Sequence, residues 1–179
     1  MSLADVEKIV KQLKNQCATA GFYKTAHYPG GQSVAYVASI HEYGAPSRRI
    51  PPRPFLRPTI ADNKGKWADK LNQQVEKALK GEIAPGQVFE RIGLTMEAGI
   101  KQAIVNVNAP PLSAVTLALR QKRRDLGVYV LPMSILWSTM RAAKEGTAKL
   151  SANTKPLEET GYMLASVTSK SGLDSEFTS

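Results

Sequence analysis

Five prolines fall between residues 46 and 58 of this chain (Pro46, Pro51, Pro52, Pro54 and Pro58), and the stretch that holds them, "GAPSRRIPPRPFLRP", constrains the fold more than any other feature. Proline lacks a backbone donor and fixes φ, so neither a helix interior nor a central strand can run through it. The chain is expected to cross it as a stiff, extended, polyproline-like arm over about 44–58, which loses little entropy when it docks. Four arginines share that arm, Arg48, Arg49, Arg53 and Arg57, with Phe55 and Leu56 between the last two.

Hydrophobic periodicity orders the rest. Leu3, Val6, Ile9, Val10 and Leu13 recur at helical spacing, predicting a helix from Ser2 to about Ala20 that Gly21 stops. Aromatic and β-branched residues over 22–28 and 33–43, separated by "PGGQ", predict a β-hairpin, with Val34, Tyr36, Ala38 and Ile40 on one strand face. Beyond the arm, Ile60, Trp67, Leu71 and Val75 predict a helix to Leu79, closed by Gly81. Val88, Ile92, Met96, Ile100 and Ile104 predict its antiparallel partner from about Pro85. Ser113 is placed to cap a short helix ending in Arg120, Lys122, Arg123 and Arg124, where cations suit the helix C-terminus. "VYVLP" reads as strand-like, Ser134 to Gly146 as a further helix, and "KPLEETGYMLASVTSKSG" as a turn, a short helical segment and a final strand. The residues thus predict one α+β domain over 1–170, a small antiparallel sheet packed against helices, followed by a polar tail over 171–179.

Twenty-four Lys and Arg against fifteen Asp and Glu leave a net charge of +9, which favours contact with polyanions or acidic protein surfaces. The one cysteine, Cys17, cannot close an internal disulfide, and no basic, apolar leader opens the chain, so the expected compartment is cytosolic. No apolar run approaches the roughly 20 residues of a membrane span. Catalytic signals are weak. His27 and His41 have no metal-ligand spacing with Cys17, and no phosphate-cradling loop of the Walker or dinucleotide type is present. His41 and Glu42, adjacent on a strand, would point to opposite faces and not meet as base and orienting carboxylate. No catalytic residue, metal or cofactor is expected. Arg48, Arg49, Arg53 and Arg57 with Arg120, Lys122, Arg123 and Arg124 could form a phosphate-binding face, but stacking aromatics are missing between them, and a solvated or partner-facing surface is the preferred reading.

"VAYVASIHEYGAPSRRIPPRPFLRPTI", "NAPPLSAVTLALRQKR" and "KPLEETGYMLASV", in this order around a helical hairpin, resemble the minor tail protein Z and tail-completion family of long-tailed bacteriophages and their prophages. The resemblance runs from about Val34 to Val167. It departs at Glu158 and Glu159, where an Ile-Asp pair is common, and at an insertion over about 127–154. It implies a structural virion protein of the neck or tail, assembled in the host cytoplasm, related in fold to tail-terminator and neck proteins. It further implies a homo-oligomeric, usually sixfold ring that meets neighbouring neck and tail proteins, close to the genomic DNA in the channel. Arg48, Arg49, Arg53, Phe55, Leu56 and Arg57 would then form a subunit interface, with Phe55 and Leu56 as the apolar anchor. Glu42 and Tyr43 would frame the arm's exit and Gly44 its bend, while Arg120, Lys122, Arg123 and Arg124 would face a partner or DNA. A basic nucleic-acid-binding module is the alternative.

Overall fold

The computed structural model describes residues 3–157 and 159–173 and is α+β, with seven helices and one two-stranded antiparallel sheet. Backbone packing divides the chain into two compact units, between which it crosses four times: unit 1 holds Met1–Tyr23, Phe55–Ala103 and Val167–Ser179, and unit 2 holds Lys24–Pro54 and Ile104–Ser166.

Unit 1 begins with α1 (Leu3–Leu13) and β1 (Gln16–Phe22). The helix ends well before the expected Ala20, because Asn15 turns into the left-handed region at φ 67° and residues 16–22 pair as a strand. Alanine and cysteine have little strand preference of their own, so the strand is imposed by its partner, β2 (Val167–Leu173), in a register running from Gln16 opposite Leu173 to Phe22 opposite Val167. Residues 171–173, expected in the polar tail, therefore belong to the sheet; the rest of that tail, 174–179, lies outside the described residues. Helix α3 (Leu56–Leu79) and the greater part of α4 (Gly86–Asn106) complete the unit, and Gly81 at φ 77° follows α3 as expected. Gly99 lets the two helices meet: a Cβ there would lie 3.3 Å from the Trp67 ring and 3.9 Å from Thr59. Gly93 does the same for the sheet, its bare Cα facing Ser169 and Ala18. Glu97 then links α4 to β2, accepting from Ser169 Oγ at 2.8 Å and from Lys101 Nζ at 2.6 Å. Val88, Ile92, Ile100, Ala78, Phe55 and Val167 are buried here.

Unit 2 corrects the expected hairpin. Residues 34–43 form a helix, α2 (Val34–Tyr43), whose N-cap Ser33 accepts from the Tyr36 amide. The alternation that read as a strand is overridden by that cap, and the positions actually buried, Val34, Ala38 and Glu42, recur every four residues. All that remains of the hairpin is one bridge between His27 and Ser33. Ser113 caps α5 (Ala114–Leu126) by accepting from Thr116, as its sequence predicts. "VYVLP" is irregular rather than a strand, and α6 (Met133–Lys144) packs on α5, so the 127–154 insertion is an integral layer of this unit. A single helical turn, α7 (Tyr162–Ala165), follows Gly161 at φ 69°.

Candidate functional site

The arm does not run extended from its start. Ala45 and Ile50 bond each other's backbone both ways, at 2.8 and 3.1 Å, around a 3₁₀ turn at Pro46–Arg48 with Arg49 at φ 54°. The return is then tied to the end of α2 by the Arg53 amide, which donates to the His41 carbonyl at 2.6 Å.

Two arginines expected at the surface are interior. Arg53 is 4% exposed, and its Nε and Nη2 donate to the carbonyls of Pro110 and Pro111 at 2.8 and 3.1 Å. Arg120 is 6% exposed; Nη1 donates to the Lys155 carbonyl at 2.7 Å and Nη2 to that of Pro156 at 2.8 Å. Proline-rich backbone offers carbonyls without matching amides, and the rigid guanidinium fork supplies the missing donors. Phe55 is likewise interior, 2% exposed, with its ring edge-on to Phe22 at 6.1 Å between centroids. Phe55 and Arg53 are therefore packed inside the chain rather than presented at its surface as the anchor reading expected, and Arg120 is buried rather than on an exposed basic face. Among the other candidates, Arg48, Arg49, Arg57 and Arg124 are exposed, while Leu56, Lys122 and Arg123 are half-buried. Exposure alone assigns the exposed four no partner.

A cavity of about 580 Å³ opens in unit 2, walled by the last turns of α2 and α5 and by the segment before α7. Arg120, Arg123 and Arg124 line it together with His41, Tyr28, Tyr129 and Glu159. Among the described residues Glu159 is the one lining carboxylate: its oxygens lie 2.7 and 3.0 Å from Arg123 Nη2, and Oε2 is 3.4 Å from Arg120 Nε. Burial, followed by the charges of Arg53 and Arg120, lowers the His41 pKa to about 4, so its ring is neutral at pH 7. Its Nδ1, like Nε of Arg123, is buried with no hydrogen-bond partner among the described residues, while Nε of Arg120 has only the 3.4 Å ion-pair contact with Glu159. Tyr28 stacks between Tyr129, at 6.0 Å and 27°, and Tyr162, at 5.4 Å and 34°. Burial first, then Tyr129 and Glu159, push its phenol up to about 12.

The sequence pointed to the arginines of this wall but not to its tyrosines, which are separated by a hundred residues and come together only through the fold. Glu159 stood out in the sequence as a departure, and its pairing role had no local signal. His41 and Glu42 do not form a catalytic pair, although the reason is helical rather than strand geometry: they are neighbours on α2, about 100° apart around its axis. Among the described residues no three His, Cys, Asp or Glu side chains gather as a metal site, and no helix is long and apolar enough to cross a membrane. No protein-family model, curated protein or solved structure matches the chain.

Proposed function

We propose that this chain is a non-enzymatic structural protein of a tailed-bacteriophage virion, forming a homohexameric ring at the neck or head-proximal end of the tail, in a tail-completion, tail-terminator or head-tail joining role. The observation that carries the reading is how the three motifs of the resemblance meet. Arg53 of the first motif holds carbonyls of Pro110 and Pro111 in the second, and Arg120 of the second holds those of Lys155 and Pro156 in the third. Segments that look like one family in sequence thus depend on one another in space, as a shared fold requires. Arg48 and Arg49 lie at the surface, where acidic neighbours can meet them, which on this reading are the adjacent subunit and the neck and tail proteins above and below. The nucleic-acid module is the weaker reading, because Arg53 and Arg120 are spent on backbone carbonyls.

A mass measurement on the purified chain, paired with a salt titration against duplex DNA, separates the two. A hexamer with negligible duplex affinity at physiological salt is the expected result. A monomer at every concentration, binding duplex with an affinity that falls steeply as salt rises, overturns the ring.

A further inference from the structure

The unit 2 cavity has more positive charge and more idle donors than its own residues use. Three guanidinium groups, Arg120, Arg123 and Arg124, face one carboxylate, Glu159, which leaves a surplus of two positive charges among the described lining residues. His41 adds none, since it is neutral, and the Tyr28 phenol stays protonated and removes none. Arginine Nε is always a donor; Nε of Arg123 is buried with no hydrogen-bond partner among the described residues, and that of Arg120 has only a long 3.4 Å ion-pair contact with Glu159 Oε2. Buried donors are ordinarily satisfied, so this wall is shaped for an acceptor-rich anion. The volume, about 580 Å³, lies within the span of small-molecule sites and greatly exceeds a lone oxyanion. Tyr129 supplies an aromatic ring beside the cations, backed by Tyr28, which is itself flanked by Tyr129 and Tyr162.

We infer that this cavity binds a phosphomonoester carried on a flat ring, the chemistry of a nucleotide, with Arg123 and Arg124 on the phosphate and Tyr129 against the ring. A phosphomonoester carries about −1.5 to −2 at pH 7, which matches the surplus. A single carboxylate from an acidic peptide matches half of it and leaves the aromatic wall unused. Bases stack on aromatic side chains without regard to sequence, and the guanidinium fork fits phosphate oxygens in pairs. The same group comes either from a free nucleotide or from the 5′-phosphate at the end of a single strand. The site does not depend on the ring reading, since binding is measured on the full-length chain whatever its oligomeric state.

Calorimetric titration of the full chain tests it with deoxyadenosine 5′-monophosphate, deoxyadenosine, inorganic phosphate and a Glu-Asp-Glu tripeptide. The mononucleotide should bind saturably, at least about tenfold more tightly than the other three, as expected if phosphate contact and stacking each add more than about 1.4 kcal/mol. Arg124→Gln, at an exposed position where folding is undisturbed, should weaken it about tenfold or more. Tyr129→Leu should weaken the mononucleotide and leave inorganic phosphate unchanged. A 5′-phosphorylated oligothymidylate binding more tightly than the mononucleotide identifies a strand end as the source; the reverse order identifies the free nucleotide. No saturable binding of the mononucleotide, equal affinity for the tripeptide, or full affinity in a folded Arg124→Gln protein overturns the proposal.

Discussion

His41 shows at the scale of one residue how competing effects are decided by their size. It sits in the last turn of α2, where the helix dipole favours a protonated imidazole by about 0.3–1 kcal/mol. Burial and the charges of Arg53 and Arg120 oppose this, and the fall from 6.5 to about 4 amounts to about 3 kcal/mol, so they win. Between those two values the unfolded chain takes up a proton that the folded chain refuses. This contribution to stability is therefore complete above pH 6.5 and is lost as pH falls towards 4. Urea unfolding at pH 7 and at pH 4.5 should show a loss of up to about 3 kcal/mol, and His41→Gln should remove most of that difference. An unchanged pH dependence in His41→Gln would mean that the histidine does not titrate as described. Gly44 is constrained by sterics instead: at φ 76° a Cβ would lie 2.9 Å from the Ile50 carbonyl oxygen and the Pro52 nitrogen, both backbone atoms that cannot move aside cheaply.

Elements differ in whether their signals are local. The helices α3, α4 and α5 carry theirs within a few residues: an apolar stripe, a cap at Ser113, a stop at Gly81. For α2 the cap Ser33 was present in the sequence but competed with a β-branched, alternating run, and the four-residue spacing of Val34, Ala38 and Glu42 decided the matter through burial. Strand β1 had no local signal at all, since its partner lies 145 residues away at the far end of the ladder, from Phe22 to Val167. Phe55, at the start of α3, follows from the same logic. In the sequence it is one ring among prolines and arginines, whereas in the fold it closes on Phe22 at the end of β1. Phe55→Ala should accordingly destabilise the isolated chain by about 3–5 kcal/mol, read as a lowered urea midpoint. A variant that unfolds like the wild type and loses only its assembly would return Phe55 to the role of an intersubunit anchor.

On the scale of the whole molecule, the proposed ring needs a surface other than Phe55 and Arg53, which are packed inside the chain. Trp137, 64% exposed, stands one helical turn from exposed Met133 on α6. Such an aromatic and thioether pair is typical of the centre of a protein interface, and α6 belongs to the insertion that departs from the family pattern. On the ring reading Trp137→Ala should leave thermal unfolding unchanged and weaken self-association by about 2 kcal/mol, or roughly thirtyfold, in sedimentation. Full assembly of the variant would place the contact elsewhere.

Sequence alone determined the long helices α3, α4 and α5, the cap at Ser113 and the stop at Gly81. Each of these follows from chain chemistry within a few residues of where it acts. Only the tertiary structure decided the sheet, the interior place of Arg53, Phe55 and Arg120, and the cavity. A strand pairing across most of the chain, a guanidinium that finds proline carbonyls 57 residues away, and tyrosines from separate segments depend on loops closing. An arginine reads as a surface residue because exposing its charge is the cheaper outcome; it goes inside where rigid backbone presents carbonyls in the right geometry, and that geometry exists only once the chain has folded.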